Sequence, residues 1–210
     1  PALLDLGEML KGHALAPVEL YALARKSLHF VGYQGMSMIA VAGLDMAAWD
    51  ALAKAAGVPL CVLLGGSVGP VSAYNSNGLW LKEPDAVAAE AIELRDEGGF
   101  TGLKLRLGRD RVRDDLATIE AVRNAVGNDM HLMVDFNQGL DLGEALQRCH
   151  AIDDLGLDWI EEPLVYDNLD GHAQLAAELK TPIQIGENFY GPREMHKAIQ
   201  KKACDLVMPD

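Results

Sequence analysis

The sequence predicts an α/β protein in which a parallel sheet is covered by outer helices, as in a (β/α) barrel. Three observations point there. From Val71 onward, short apolar runs alternate with helix-like segments at roughly 25–30-residue spacing, about the length of one strand–helix unit. Three of these runs close on an acid, at Asp135, Glu161 and Glu187, a constant interval of 26 residues. The acids therefore sit at the tips of successive strands. An open doubly wound sheet concentrates its site at one switch point, so chemistry spread over several tips favours a barrel.

Taken in order, residues 1–64 read as helical and 65–210 as alternating, with the change at Gly65-Gly66. Pro17–Leu28 is an Ala/Leu-rich helical segment. Met36–Ala56 is another, with Ile39, Leu44, Trp49 and Leu52 among its apolar positions, and Gly57-Val58-Pro59 interrupts it. Leu60–Leu64 is a short apolar run. Strand-like runs follow at Val71–Asn75, Gly102–Leu107, Leu132–Asp135, Trp159–Glu161, Ile183–Glu187 and Asp205–Pro209. Between them, Leu142 to Leu155 keeps one apolar face, and Pro192 opens a helix at its first turn. Six such units fall short of the eight a closed barrel needs, so the chain reads as an internal portion of a longer protein.

Composition narrows the function classes. A formal net charge of −13 argues against general nucleic-acid or anionic-membrane binding, which need basic surface. No uncharged apolar run approaches 18 residues, and the first residues lack a basic leader, so no membrane span or signal peptide is expected. Cys61, Cys149 and Cys204 are odd in number, far apart and set in apolar company. Buried free thiols in a cytoplasmic protein fit them better than disulfides.

A lone acid at a strand end is usually a helix cap or a solvated loop residue. Three at equal intervals, each closing an apolar run, point instead to a metal site. Convergent carboxylates repel one another, and a hard divalent cation with oxygen ligands is the common remedy. With no His or Cys at an equivalent position, the set suits Mg²⁺ or Mn²⁺ rather than Zn²⁺.

Lys104 and Arg106 alternate with Leu103, Leu105 and Leu107, so both cations share the face opposite the leucines. Lysine there can act on protons if its neighbours tune its pKa, whereas arginine stays charged and suits a carboxylate anchor; a structural ion pair is the plainer alternative. Asp210 is a fourth strand-tip acid, open between a distant ligand, a partner orienting a histidine on a following strand, and a helix cap. Asn137 and Asn188 either donate to substrate oxygens or make turns. Glu162 points away from Glu161 by alternation. The histidines sit in helical or loop text, or, for His131, at the wrong end of a strand.

Together these residues resemble the enolase superfamily, specifically its mandelate racemase branch. The carrying strings are Ala42–Leu52, Lys104-Leu105-Arg106, Val134–Gln138, Trp159–Pro163, Gly186-Glu187-Asn188 and Met208-Pro209-Asp210. The resemblance implies that 1–64 is the helical part of an α+β capping domain. It makes 65–210 the first six units of a barrel of the modified TIM type. It implies that Asp135, Glu161 and Glu187 hold Mg²⁺, and that Lys104 neutralises a substrate carboxylate. Ser76 and Asn137 would contact substrate oxygens, and Asp210 would pair with a histidine after the next strand. The implied substrate is a small 2-hydroxycarboxylate and the implied assembly a homo-oligomer.

Arg106 departs from the family's Lys-x-Lys pattern. Arginine is a poor base, which disfavours two-base racemisation and favours dehydration of a sugar acid. A mandelate-type racemase or epimerase, and a non-catalytic metal-binding barrel, are the alternatives.

Overall fold

The structure, a computed structural model, describes residues 2–209. It divides into two compact units: residues up to Val71 with Tyr190–Pro192, and Ser72–Phe189 with the chain from Arg193. The first is helical: α1 (Ala2–Leu10), α2 (Pro17–Ser27), α3 (Gly35–Ala56) and the single-turn α4 (Leu60–Leu63). Proline at the start of α2 costs no hydrogen bond there. Gly57, at φ 68°, ends α3 in the left-handed conformation, and its N–H closes on the last carbonyls. Leu6, Ala24, Met38, Ala40 and Val41 form the core between these helices. By length and composition α3 could cross a membrane, a property that the sequence expectation passes over.

The second unit begins with α5 (Pro84–Gly98) and then alternates: β1 (Gly102–Arg106), α6 (Val112–Val126), β2 (His131–Asp135), α7 (Leu142–Ile152), β3 (Ile160–Glu161), α8 (Leu169–Glu178), β4 (Ile183–Ile185), α9 (Pro192–Lys201) and β5 (Leu206–Val207). The strands form one sheet in the order β1-β2-β3-β4-β5, every neighbouring pair parallel. Consecutive parallel strands joined through helices are the construction of a (β/α) barrel wall. Strand alternation sorts the two faces. Leu103, Leu105, Leu132, Val134, Ile160, Ile183 and Ile185 join Val87, Ala91, Val122, Cys149 and Leu175 of the helices in the main core. Each large side chain fully buried there contributes about 1.5–3 kcal/mol. The opposite face, in matching register, carries Lys104, Arg106, Met133, Asp135, Glu161 and Gln184.

The predicted first strand does not form. Val71 is 90% exposed, and Ser72 and Ala73 are exposed beside it, so the run has no face to bury. Only Asn75 pairs, through an isolated bridge to Leu103. β4 stops at Ile185, short of its apolar run, because Gly186 (φ 145°) turns the backbone; β3 ends at Glu161 as its run does, with Glu162 (φ 40°) just beyond. Cys61 is exposed, contrary to expectation, because α4 buries none of its residues.

Away from the strand tips, Asp115 anchors the turn after β1. Its carboxylate accepts the backbone N–H groups of Gly108 and Arg109 and pairs with Arg109 and, at 2.8 Å, with Arg148 Nη1 of α7. Arg148, buried, also donates to the Arg109 and Asp110 carbonyls. Removing one partner of such a pair strands the other charge. Asp115→Ala is therefore expected to lower stability by about 3–5 kcal/mol, read as a fall in the urea midpoint.

His172, fully buried in α8, has Nδ1 3.1 Å from the Asn168 carbonyl. Its Nε2 has no partner among the described residues. Burial pushes its pKa down to about 4, against the ring's hydrogen bond to Asn168. The folded state thus keeps the ring neutral while the unfolded chain takes up a proton below about 6.5. The group's contribution is complete above that pH and is lost as pH falls toward 4, on the order of 3 kcal/mol. His172→Gln should flatten the dependence of unfolding free energy on pH between 6.5 and 4; a slope equal to that of the parent protein would contradict this.

Candidate active site

Asp135 and Glu161 end β2 and β3 and stand directly opposite each other in the parallel register. At 1% and 0% exposure, neither carboxylate is screened by water. Lys104 of β1 lies between them: its Nζ is 3.1 Å from Asp135 Oδ2 and hydrogen-bonds to Glu161 Oε1. Asn137 donates to both oxygens of Asp135, from its backbone N at 2.8 Å and its side-chain amide at 3.1 Å. Trp159 Nε1 donates to Glu161 Oε2 at 3.1 Å, and Tyr74 meets the Trp159 ring edge-on at 5.3 Å.

The protonation equilibria follow from that packing. Burial, then the neighbouring Asp135, raises the pKa of Glu161, with Lys104 and Trp159 opposing the rise. Burial pulls the Lys104 pKa down, but its bonds to Glu161 and Asp135 outweigh that and the net shift is upward. In this arrangement the two carboxylates hold Lys104 as a cation.

Arg106 shares the Lys104 face. Its guanidinium lies over the Trp80 ring at 5.1 Å, and Nη1 is 3.5 Å from Asp135 Oδ2. Only 9% of the residue is exposed, yet Nε and Nη1 have no hydrogen-bond acceptor among the described residues. Buried donors without acceptors are costly, and these two point to an oxygen-bearing ligand.

Glu187 is offset. Although 26 residues beyond Glu161, it falls two residues past the end of β4, in the turn that follows. Equal spacing along the chain did not give equal position on the strands, because Gly186 bends the backbone first. A Cβ at Gly186 would lie 2.6 Å from the Met208 carbonyl oxygen, so only glycine fits. The Gly186 N–H donates at 2.7 Å to Glu162 Oε1. Glu162 is buried and holds the turn carrying Glu187; sequence alternation missed it, since its positive φ takes it off the strand pattern. Burial pushes its pKa up to about 7, with the nearby Glu187, Glu161 and Asp135 adding to the rise against the bond from Gly186. Glu187 itself is half-buried and accepts from Gln138 Nε2 at 3.2 Å; Gln138 also donates to Asn188 Oδ1 at 2.5 Å.

Ser76 is exposed, directly after the Asn75 bridge to β1. Asp210 lies outside the described residues. Trp80 was not singled out from sequence, and Gln138 and Trp159 entered only as ends of longer strings; Trp80 and Gln138 matter through partners distant along the chain, Trp159 through Glu161 two residues on.

Among the described residues, no three His, Cys, Asp or Glu side chains are gathered closely enough to cage a metal ion. The donors nonetheless fit a hard cation in kind: all are carboxylate oxygens, and two of them already surround a cation, the Lys104 ammonium. Glu187, Glu161 and Asp135 each bear electrostatically on the buried Glu162.

Comparisons with known proteins identify the family. L-talarate/galactarate dehydratase of Salmonella typhimurium is 40% identical over 180 residues, covering 86% of this chain and 45% of that protein. The crystal structure of an enolase from the alpha proteobacterium bal199 with bound magnesium superposes with a TM-score of 0.97. It is 67% identical, covering all of this chain and 59% of its own. An enolase from Bradyrhizobium, crystallised with magnesium and mandelic acid, gives 0.92 at 41% identity, covering all of this chain and 57% of its own. The chain spans about half the length of the curated relatives it matches. Residues 3–65 match the mandelate racemase/muconate lactonizing enzyme N-terminal domain, and residues 86–210, more than half of the chain, match the enolase C-terminal domain-like model. The chain belongs to the mandelate racemase/muconate lactonizing enzyme family of the enolase superfamily.

Proposed function

We propose that this chain is the carboxylate-binding part of a magnesium-dependent enzyme that removes the α-proton of a 2-hydroxycarboxylate and eliminates water from an acid sugar. One observation carries the reading: two buried cations, Lys104 and Arg106, project from one strand face beside two buried acids. A divalent cation held by Asp135, Glu161 and Glu187 would supply additional positive charge to the substrate's carboxylate oxygens. Loss of the α-proton spreads further negative charge onto that carboxylate. Lys104, kept protonated by its acidic neighbours, stabilises that charge without giving up its own proton. Arg106 offers the Nε and Nη1 donors that lack acceptors, and the Trp80 ring limits how far its guanidinium can swing. Asn137, occupied with Asp135, orients that acid. Ser76 and Asn188 flank the site as substrate contacts.

The choice of dehydration rests on Arg106. A racemase needs a base on each face of the α-carbon, and a guanidinium does not release its proton near neutral pH. Proton removal is therefore assigned to the opposite face, to the histidine that the family likeness pairs with Asp210. The Salmonella relative, a dehydratase, supports this reading, and the mandelic acid in the Bradyrhizobium structure is what favours a racemase instead.

Incubating the full-length enzyme in D₂O with Mg²⁺ and a panel of acid sugars and aryl hydroxy acids separates the two. A 2-keto-3-deoxy product is expected. Deuterium at the α-carbon with inversion, and no keto product, would establish the racemase. Glu187→Gln should lower turnover by at least about a hundredfold, a loss of about 2.7 kcal/mol in transition-state stabilisation; undiminished turnover would refute its role as a ligand. Arg106→Met should cost about 10–100-fold in kcat/KM, while Arg106→Lys, which keeps the charge, should restore part of it.

A further inference from the structure

We infer that Gln138 is a positioning residue for Glu187, setting the direction in which that carboxylate faces the cation; this rests on the magnesium reading above. The turn after β2 places Asn137 at φ 47° and Gln138 at φ 63°, two consecutive non-glycine residues in the left-handed region. Such a conformation persists only where its surroundings hold it. They do hold it here. Gln138 N donates to the Glu162 carbonyl at 2.7 Å, Gly139 N to the Phe136 carbonyl at 3.0 Å, and Leu140 N to the Pro163 carbonyl at 3.2 Å.

The bent turn carries the Gln138 amide across to the turn after β4, 49 residues further along the chain. Which end of that amide faces Glu187 is settled by chemistry. Its Oε1 accepts the Tyr166 backbone N–H at 2.9 Å, and a backbone N–H can only donate. The opposite end, Nε2, therefore points at Glu187 Oε1 and Asn188 Oδ1. A flipped amide would set donor against donor at Tyr166 and oxygen against carboxylate at Glu187. Asn137 of the same turn holds Asp135, so two adjacent residues orient acids that arise from β2 and from beyond β4. Hydrogen-bond partners that orient metal-binding carboxylates typically affect metal affinity 10–100-fold.

The test compares Mn²⁺ affinity, read from the free-ion EPR signal, for full-length parent, Gln138→Met, Glu187→Gln and the double variant, without substrate. Gln138→Met should weaken binding about 10–100-fold in the parent and add little in the Glu187→Gln background. Equal weakening in both backgrounds, as general damage to the turn would give, or unchanged affinity in the single variant, would overturn the inference. Should Gln138→Met fail to fold, Gln138→Asn takes its place, with an amide one methylene too short to reach Glu187. Wild-type affinity in Glu187→Gln would instead remove the metal site itself, and this inference with it.

Discussion

Two nearly inaccessible carboxylates stand side by side across the β2–β3 ladder, and the Lys104 ammonium between them makes that proximity tolerable. Without it, two buried carboxylates would face each other with nothing to offset their repulsion. Lysine in turn stays charged at low exposure only because both acids face it. The arrangement is weak as a source of stability, since stripping water from three charges costs about as much as their attraction returns. Its consistent explanation is chemical: a preformed region of opposed charge at the end of a sheet, where a polar substrate can exchange partners with it.

The rest of the site is fastened to this centre by backbone turns. Asn137 secures Asp135, Trp159 secures Glu161, and Glu162 fixes the bend at Gly186 from which Glu187 hangs. Arg106 differs in being incompletely satisfied. Its guanidinium is packed against Trp80 and faces Asp135 at 3.5 Å, yet Nε and Nη1 have no hydrogen-bond acceptor among the described residues.

Much of this was legible in the sequence, because the signals were local. Leucines at 103, 105 and 107 alternating with Lys104 and Arg106 can form only one kind of strand, with two chemically distinct faces. The acids at 135 and 161 follow the same logic, since each closes its strand. The logic fails where the backbone leaves its regular path. Alternation says nothing of the turn that Glu162 holds, since its positive φ takes it off the strand pattern. Glu187 was placed at a strand tip because spacing counts residues and not their direction. Val71–Asn75 has a strand's composition, but its first three residues stay exposed and only Asn75 reaches the sheet. Gln138 was unreadable, since its meaning lies in contacts to residues 166, 187 and 188.

β1 illustrates how little freedom such a design leaves to insertions and deletions. Its leucines lie against the helices and its cations against the acids, so one residue gained or lost within it would shift the pattern by half a period. An ammonium and a guanidinium would then enter the hydrocarbon layer while leucines faced the carboxylates. Length changes are therefore tolerable only in the connecting turns, and the strand behaves as an indivisible block.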